Sequence, residues 1–148
     1  MTDLATVASA ALLPRVGHGT GSLQEVLGPI SADLSLVDLT LRKHLDSDVA
    51  LIKTISDYIV GAGGKRLRPA VLLLVARALG YDGEKHVDLA VVIEFIHTAT
   101  LLHDDVVDES DLRRGRSTAN SMFGNAASVL VGDFLYSRSF QMMVDAGN

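Results

Sequence analysis

The sequence predicts an all-α fold. From Leu23 onward, apolar residues recur at three- and four-residue steps, which is the period of an amphipathic helix. Glycine and proline punctuate these stretches, and no two neighbouring segments alternate apolar and polar residues as a pair of strands would. We therefore expect a series of helices and no convincing strand pair.

The composition is that of an ordinary globular domain. Of the 148 residues, 48% are hydrophobic and 21% are charged, which is enough apolar material for one sizeable core. The net charge of -5 argues against a general nucleic-acid binder, because such proteins present a basic surface to phosphates. The chain contains no cysteine, so thiolate metal ligands and cysteine nucleophiles are excluded.

Residues 1–22 are expected to form a flexible leader before a domain at residues 23–148. The leader contains Pro14 and Gly17 and has no sustained periodicity. It lacks the basic start of a secretory signal, which favours a cytoplasmic, unprocessed protein. The longest unbroken apolar run, residues 69–76, is shorter than the roughly 20 residues that span a bilayer, so we expect no transmembrane segment.

Three helices are predicted in the first half of the chain. The apolar spacing predicts a long helix over about residues 23–45, broken near its Gly-Pro dipeptide, and a shorter helix over about residues 47–60. The segment 61–69 is rich in glycine and basic residues and is predicted to form a turn. The proline at its end suits the first turn of a third helix, over about residues 69–79.

A fourth predicted helix, over about residues 84–108, is apolar in its middle and ends in acids. Asp104 and Asp108 lie one turn apart on one face, while Asp105 is rotated to the flank. Without a cation the two carboxylates would repel each other, and the helix dipole disfavours negative charge at this end. Magnesium prefers oxygen ligands and often bridges one or two carboxylates to phosphates, so the pair predicts a Mg²⁺ site for a phosphorylated ligand.

His97 lies on the same predicted face as these acids. It comes seven residues before Asp104 and eleven before Asp108, so the three side chains fall within about 40° of arc. The alternatives are a core histidine with a satisfied hydrogen bond and a merely solvated acidic helix end. The alignment of all three residues favours a binding site.

The chain after the acids is predicted to form a charged loop and a fifth helix. The loop covers about residues 109–116, and the helix begins near Asn120 or Asn125 and runs to about Val144. This last helix is apolar and needs partners, so we expect exposed apolar faces that favour association.

Two basic clusters flank the acids in the sequence. Lys65, Arg66 and Arg68 lie on the glycine-rich turn, and Arg113 and Arg114 follow the acids. Arginine binds phosphate bidentately, lysine acts as a compact charge, and glycine lets backbone N–H groups approach an anion. Two cationic clusters beside a metal site predict two diphosphates. The alternative is that some of these cations, Arg66 among them, only keep the surface soluble.

Three blocks in this order resemble the trans-isoprenyl diphosphate synthases: residues 63–69, His97 and residues 104–115. The amino-acid sequence of residues 93–120 is most similar to that of long-chain enzymes of the octaprenyl type. The resemblance covers about residues 25–148. It implies a helical bundle of the isoprenoid synthase type, of which residues 23–148 form an incomplete, N-terminal half, and it implies a homodimer.

The resemblance also implies a role for each matching position. The diphosphate of isopentenyl diphosphate would be bound by Lys65, Arg68, His97 and Arg114. The aspartate motif, with Asp104, Asp105 and Asp108, would be catalytic. Asp104 and Asp108 would ligate Mg²⁺, Asp105 would be a less direct ligand, and Arg113 would hold the allylic diphosphate.

The implied reaction extends an allylic diphosphate, with farnesyl diphosphate as the expected primer, by units of isopentenyl diphosphate. The allylic carbon–oxygen bond breaks, the double bond of isopentenyl diphosphate attacks the cation, and a proton is lost. Ala99 and Thr100, at the fifth and fourth positions before Asp104, are small where aromatic residues would close the product tunnel. We therefore expect an all-trans product of about octaprenyl length, for a quinone side chain.

The sequence departs from this family in one respect. Members are usually about twice as long and carry a second aspartate-rich motif, which is absent here. We therefore expect the 148-residue chain alone to have little or no synthase activity. One alternative is a non-catalytic fragment or subunit that associates with a full synthase. Another is a metal-dependent phosphohydrolase, suggested by the dipeptide His103-Asp104.

Overall fold

The fold is given by a computed structural model that describes residues 22–61 and 63–147. Nearly all of the predicted leader, residues 1–21, lies outside the described residues. The helices are α1 (Leu23–Leu27), α2 (Ser31–Leu45), α3 (Ala50–Gly61), α4 (Leu67–Ala78), α5 (Lys85–Val107), α6 (Ala119–Phe123) and α7 (Asn125–Ala146), with a 3-10 turn at Gly28–Ile30. The prediction of an all-α fold is confirmed.

The breaks between helices follow local chemistry. Pro29 lacks the backbone N–H that a continuous helix would need, so a 3-10 turn separates α1 from α2 as predicted. Ser22 and Glu25 form a capping box at the start of α1. Gly124 has a φ of 87° and separates α6 from α7, so both predicted starts of the fifth helix mark real helices.

The expectation of no strand pair is wrong at one place. Within the predicted charged loop, β1 (Leu112–Arg113) pairs antiparallel with β2 (Arg116–Ser117). Arg114 and Gly115 form the two-residue turn, with φ of 53° and 77°, and a type I′ turn requires positive φ at both positions. Strands of two residues are too short to show an alternating pattern in the sequence.

The core lies where α5 packs against its neighbours. Its largest fully buried side chains include Phe95 on α5, Leu135 on α7, Ile55 on α3 and Leu73 on α4. The helices α5 and α7 run antiparallel, because Lys85 at the start of α5 donates to the carbonyl oxygen of Ala146 at the end of α7. Because the two helices are antiparallel, residues 108–124, which connect them, lie at one end of the pair, with the β-hairpin among them.

The outer faces of two helices are apolar. On α4, Leu67, Val71 and Val75 follow at four-residue steps and are exposed, and Phe140 and Val144 are exposed on α7. This agrees with the expected exposure of apolar faces. Within the part of the chain that the structure describes, no helix combines the length and apolar character needed to cross a bilayer.

Candidate functional site

An open cavity of about 580 Å³ lies between the glycine-rich turn, α5 and the β-hairpin. This volume falls in the range of small-molecule sites. Its walls include six of the predicted site residues, namely Lys65, Arg68, His97, Asp105, Arg113 and Arg114. Two basic clusters that are far apart in the sequence thus meet at one cavity.

The glycine-rich turn places its cations through the backbone of Arg66. This residue is the N-cap of α4 and has a left-handed conformation, with a φ of 46°, and its carbonyl oxygen accepts the first helical hydrogen bond from Ala70 at 2.9 Å. Among the residues that the structure describes, Lys65, Arg68 and Arg114 form no ion pair. Their charges are therefore available for an anion in the cavity.

His97 is half-buried on α5 and faces these cations. Burial lowers the pKa of its imidazole below the ordinary value, and the positive charge of Arg68 lowers the pKa further. The carboxylate of Glu94 opposes this shift, while Arg113 and Arg114 add to it. His97 is therefore mainly neutral at pH 7 and can donate one hydrogen bond to an anion.

The three motif aspartates occupy two different environments. Asp105 is 5% exposed, lines the cavity, and accepts hydrogen bonds from Arg113 at 2.7, 3.1 and 3.2 Å. This pairing raises the pKa of Arg113. Asp104 and Asp108 are exposed and lie outside the cavity wall. The arrangement at the cavity therefore differs from the predicted one, in which Asp104 and Asp108 share the face of His97 and Asp105 is rotated to the flank: Asp105 lines the cavity with His97, and the other two acids do not.

Asp104 and Asp108 offer a donor set that suits a hard cation. The backbone N–H of Asp108 donates to the carbonyl oxygen of Asp104 at 2.8 Å, so the two carboxylates are one helical turn apart. No group of three or more histidine or acidic side chains within the described residues could hold a metal alone. Magnesium commonly takes one or two carboxylates and completes its shell with water and phosphate oxygens. The exposed pair fits that requirement.

The hairpin is fastened to α3 by two residues that the sequence did not single out. The hydroxyl of Tyr58 donates to the carbonyl oxygen of Ser117 at 2.6 Å. The guanidinium of Arg116 lies 5.3 Å from the centroid of the Tyr58 ring and donates to the carbonyl oxygen of Gly61 at 3.1 Å. These contacts hold the two basic segments at a fixed separation.

Two of the three left-handed non-glycine residues among the described residues, Arg66 and Arg114, line the same cavity. Within the described residues, the non-glycine positions with positive φ are Arg66, Glu109 and Arg114. Glu109 ends α5 in a Schellman motif, since its N–H donates to the carbonyl oxygen of Val106 and that of Ser110 donates to Asp105. Left-handed conformations at such residues cost about 1–2 kcal/mol and cluster at functional sites.

The residues linked to product length and to the phosphohydrolase alternative lie elsewhere. Ala99 is fully buried in the core, and the hydroxyl of Thr100 donates to the carbonyl oxygen of His97 at 2.7 Å. Neither residue lines the cavity. His103 packs against α7, with Nε2 3.4 Å from a carboxylate oxygen of Asp133. The imidazole of His103 is thus engaged away from the cavity.

Comparison with known proteins identifies the family. A family model described as Polyprenyl synthetase matches residues 49–148. The chain belongs to the polyprenyl synthetase family. This membership confirms the resemblance carried by residues 63–69, His97 and residues 104–115, and it gives no support to a phosphohydrolase.

This member of the polyprenyl synthetase family is similar in sequence to two curated synthases. The octaprenyl diphosphate synthase of Escherichia coli (strain K12) is 57% identical over 127 residues, covering 86% of this chain and 39% of the relative. The all-trans-nonaprenyl-diphosphate synthase (geranyl-diphosphate specific) of Rhodobacter capsulatus is 50% identical over 126 residues, covering 84% of this chain and 39% of the relative. The chain thus spans about two fifths of the length of these relatives.

Solved structures confirm the isoprenoid synthase fold. A decaprenyl diphosphate synthase from Rhodobacter capsulatus matches with a TM-score of 0.80 and 50% identity, over 84% of this chain and 39% of that one. A polyprenyl synthase from Caulobacter crescentus CB15, complexed with calcium and isoprenyl diphosphate, matches with a TM-score of 0.81 and 46% identity, over 87% of this chain and 39% of that one.

Proposed function

We propose that this chain forms the substrate-binding wall of a long-chain, all-trans polyprenyl diphosphate synthase of the octaprenyl type. The observation that carries the proposal is the convergence of Lys65, Arg68, His97 and Arg114 on one cavity. A diphosphate group brings several negative charges and many acceptor oxygens, which this set of donors matches. The ligand proposed for it is isopentenyl diphosphate.

The allylic diphosphate is proposed to bind at the neighbouring edge. Asp104 and Asp108 would hold Mg²⁺, which when bound supplies positive charge to a leaving diphosphate. Arg113 would contact the same diphosphate from a guanidinium that Asp105 fixes in place. The structure of the Caulobacter crescentus relative with calcium and isoprenyl diphosphate supports a divalent cation in this role.

The proposed product is a polyprenyl chain of about octaprenyl length for a quinone side chain, with farnesyl diphosphate as primer. Support comes from the octaprenyl diphosphate synthase that is 57% identical and from the small side chains of Ala99 and Thr100. Because one relative is described as geranyl-diphosphate specific, geranyl diphosphate is the alternative primer against which farnesyl diphosphate should be tested. A homodimer in the cytoplasm stays a prediction.

The 148-residue chain alone is proposed to bind substrates without condensing them. Its sequence holds one aspartate-rich motif, and it spans 39% of the relatives that are named as synthases. Because those relatives are named as synthases, a chain that contributes part of a catalytic site is favoured over a purely regulatory subunit. Steady turnover by the purified 148-residue chain, at a rate typical of enzymes, would contradict this.

Calorimetric titration with isopentenyl diphosphate tests the binding proposal. We expect binding that needs no Mg²⁺ and that K65Q weakens by about tenfold, a loss of about 1.4 kcal/mol. The control is K43Q, which removes an exposed lysine from α2. Equal affinities for the two variants would reject the site.

A chimera tests the product. This chain replaces the matching segment of the Escherichia coli octaprenyl diphosphate synthase, and the chimera is incubated with isopentenyl diphosphate and either farnesyl or geranyl diphosphate. We expect products longer than twenty carbons. Products that stop at or below this length would contradict the proposed product class.

A further inference from the structure

Arg66 is held between two helices by its side chain. Its Nη1 lies 2.9 Å from a carboxylate oxygen of Glu94 on α5, and its Nε lies 3.2 Å from a carboxylate oxygen of Asp38 on α2. The side chains of Arg66 and Glu94 are 19% and 11% exposed, whereas that of Asp38 is 55% exposed. The pair with Glu94 is therefore the protected one.

Glu94 poses an electrostatic problem for an anion site. Its carboxylate lies on the cavity wall, one turn before His97 on α5. Unpaired, it would repel a diphosphate and would itself be a buried charge without compensation. Among the described residues, Arg66 is the ion-pair partner of Glu94.

We propose that Arg66 is a positioning residue, which neutralises Glu94 so that this carboxylate does not repel an anion held by Lys65 and Arg68, and that it does not itself bind the diphosphate. This inference rests on the proposed function. The charge of Arg66 is already committed to two carboxylates.

A double-mutant cycle tests this assignment. Isopentenyl diphosphate affinity is measured by calorimetry for the 148-residue chain and for R66Q, E94Q and R66Q/E94Q. The matched cycle uses R68Q and R68Q/E94Q, because Arg68 is predicted to touch the anion. Thermal unfolding monitors the fold, and the neutral double variant guards against a single variant that fails to fold, since replacing both partners of a buried pair is often tolerated.

We expect R66Q to weaken binding by about tenfold or more, because Glu94 is left uncompensated. Adding E94Q should restore the affinity of R66Q to within about threefold of the original chain, while E94Q changes the affinity of the original chain and of R68Q by less than about threefold. If Arg66 binds the diphosphate directly, R66Q/E94Q stays as weak as R66Q. That result overturns the proposal.

A measurement without ligand separates this inference from the proposed function. The imidazole of His97 is titrated by NMR, and it is surrounded by Glu94 from α5, Arg68 from α4, and Arg113 and Arg114 from the hairpin. We expect the pKa of His97 to rise in R66Q and to return in R66Q/E94Q. If the original chain fails to bind isopentenyl diphosphate, the proposed function fails, while this titration still decides the role of Arg66. An unchanged pKa in R66Q overturns the inference.

Discussion

The buried carboxylate of Asp105 is bonded to the guanidinium of Arg113, with 2.7 Å between Oδ1 and Nη2. Asp104, its neighbour in the sequence, is exposed and free of ion pairs within the described residues. One helical step thus separates a carboxylate that fixes an arginine from one that is accessible to a cation. The two residues should respond differently to the same substitution.

We expect D105N to lower the free energy of unfolding by about 1–2 kcal/mol, because it leaves Arg113 without its charged acceptor. The loss is modest because the side chain of Arg113 is 41% exposed and solvent screens its ion pair. The matched variant D104N should change stability by less than about 0.5 kcal/mol and should instead weaken Mg²⁺-dependent binding of farnesyl diphosphate. Denaturant unfolding and calorimetry measure the two effects. The reverse order of stabilities would contradict this division of roles.

Replacing Arg114 should trade affinity for stability. Asparagine suits the first position of a type I′ turn better than arginine, so R114N should raise the free energy of unfolding by about 0.5–1 kcal/mol. The same change should weaken isopentenyl diphosphate binding by about tenfold, through loss of a phosphate donor. The control is E109G, which relieves a left-handed residue outside the cavity wall and should stabilise the chain without changing that affinity. A gain in both properties for R114N would be inconsistent with a binding role.

Binding of isopentenyl diphosphate should take up a proton at His97. Burial and Arg68 hold the pKa of the free imidazole low, and a bound diphosphate adds negative charge that raises it. Calorimetry in buffers of different ionisation enthalpy near pH 6.5 measures the uptake. Any change in the protonation of the diphosphate itself is common to the two proteins, so the difference between them reports on His97. We expect H97Q to take up fewer protons on binding than the original chain. Equal proton uptake by the two proteins would show that His97 is not the group that is protonated on binding.

The same shift predicts how stability depends on pH. The folded pKa of His97 lies below the unfolded value of about 6.5, so the unfolded chain binds more protons as the pH falls. The stabilising contribution of neutral His97 is therefore complete above about pH 6.5 and is lost as the pH falls through the folded pKa. Urea unfolding between pH 5 and 8 should show a shallower decline for H97Q. His44, whose pKa burial also lowers, supplies a remaining decline in both proteins.

Removing one hydroxyl should loosen the hairpin. Y58F keeps the ring beneath Arg116 but deletes the donor to Ser117, which should cost about 1 kcal/mol of stability. Because the hairpin carries Arg114, we expect a decrease of about threefold in affinity for isopentenyl diphosphate. Y81F is the control, since Tyr81 is 46% exposed and lies outside the cavity wall. Unchanged affinity in Y58F would show that the hairpin holds its position without this contact.

The sequence predicted the helices and the cations of the site more fully than their supports. Apolar spacing and the positions of glycine and proline placed α5 to within a residue at each end, because both signals are local. Glu94, Tyr58 and Arg116 went unnoticed, since their partners lie 28 or more residues away and no local pattern announces such contacts. For the same reason the sequence leaves open whether Arg66 binds phosphate or only keeps the surface soluble. Contacts between residues this far apart in the sequence form only when the helices pack, so the sequence alone does not predict them.

The close packing of α5 and α7 has a consequence for how the protein opens. Lys85 joins the helices at one end, Ser128 donates to the carbonyl oxygen of Leu102 near the other, and a side chain at Gly132 would collide with His103. Amide hydrogens in this pair should exchange slowly with solvent, because separating the helices exposes the centre of the core. In the glycine-rich turn the N–H of Gly63 donates to the carbonyl oxygen of Val60, but the N–H groups of residues 64–66 have no backbone acceptor within the described residues and should exchange sooner. An entering ligand therefore meets acids carried by the slowly opening helix pair and cations carried by a turn that opens more often.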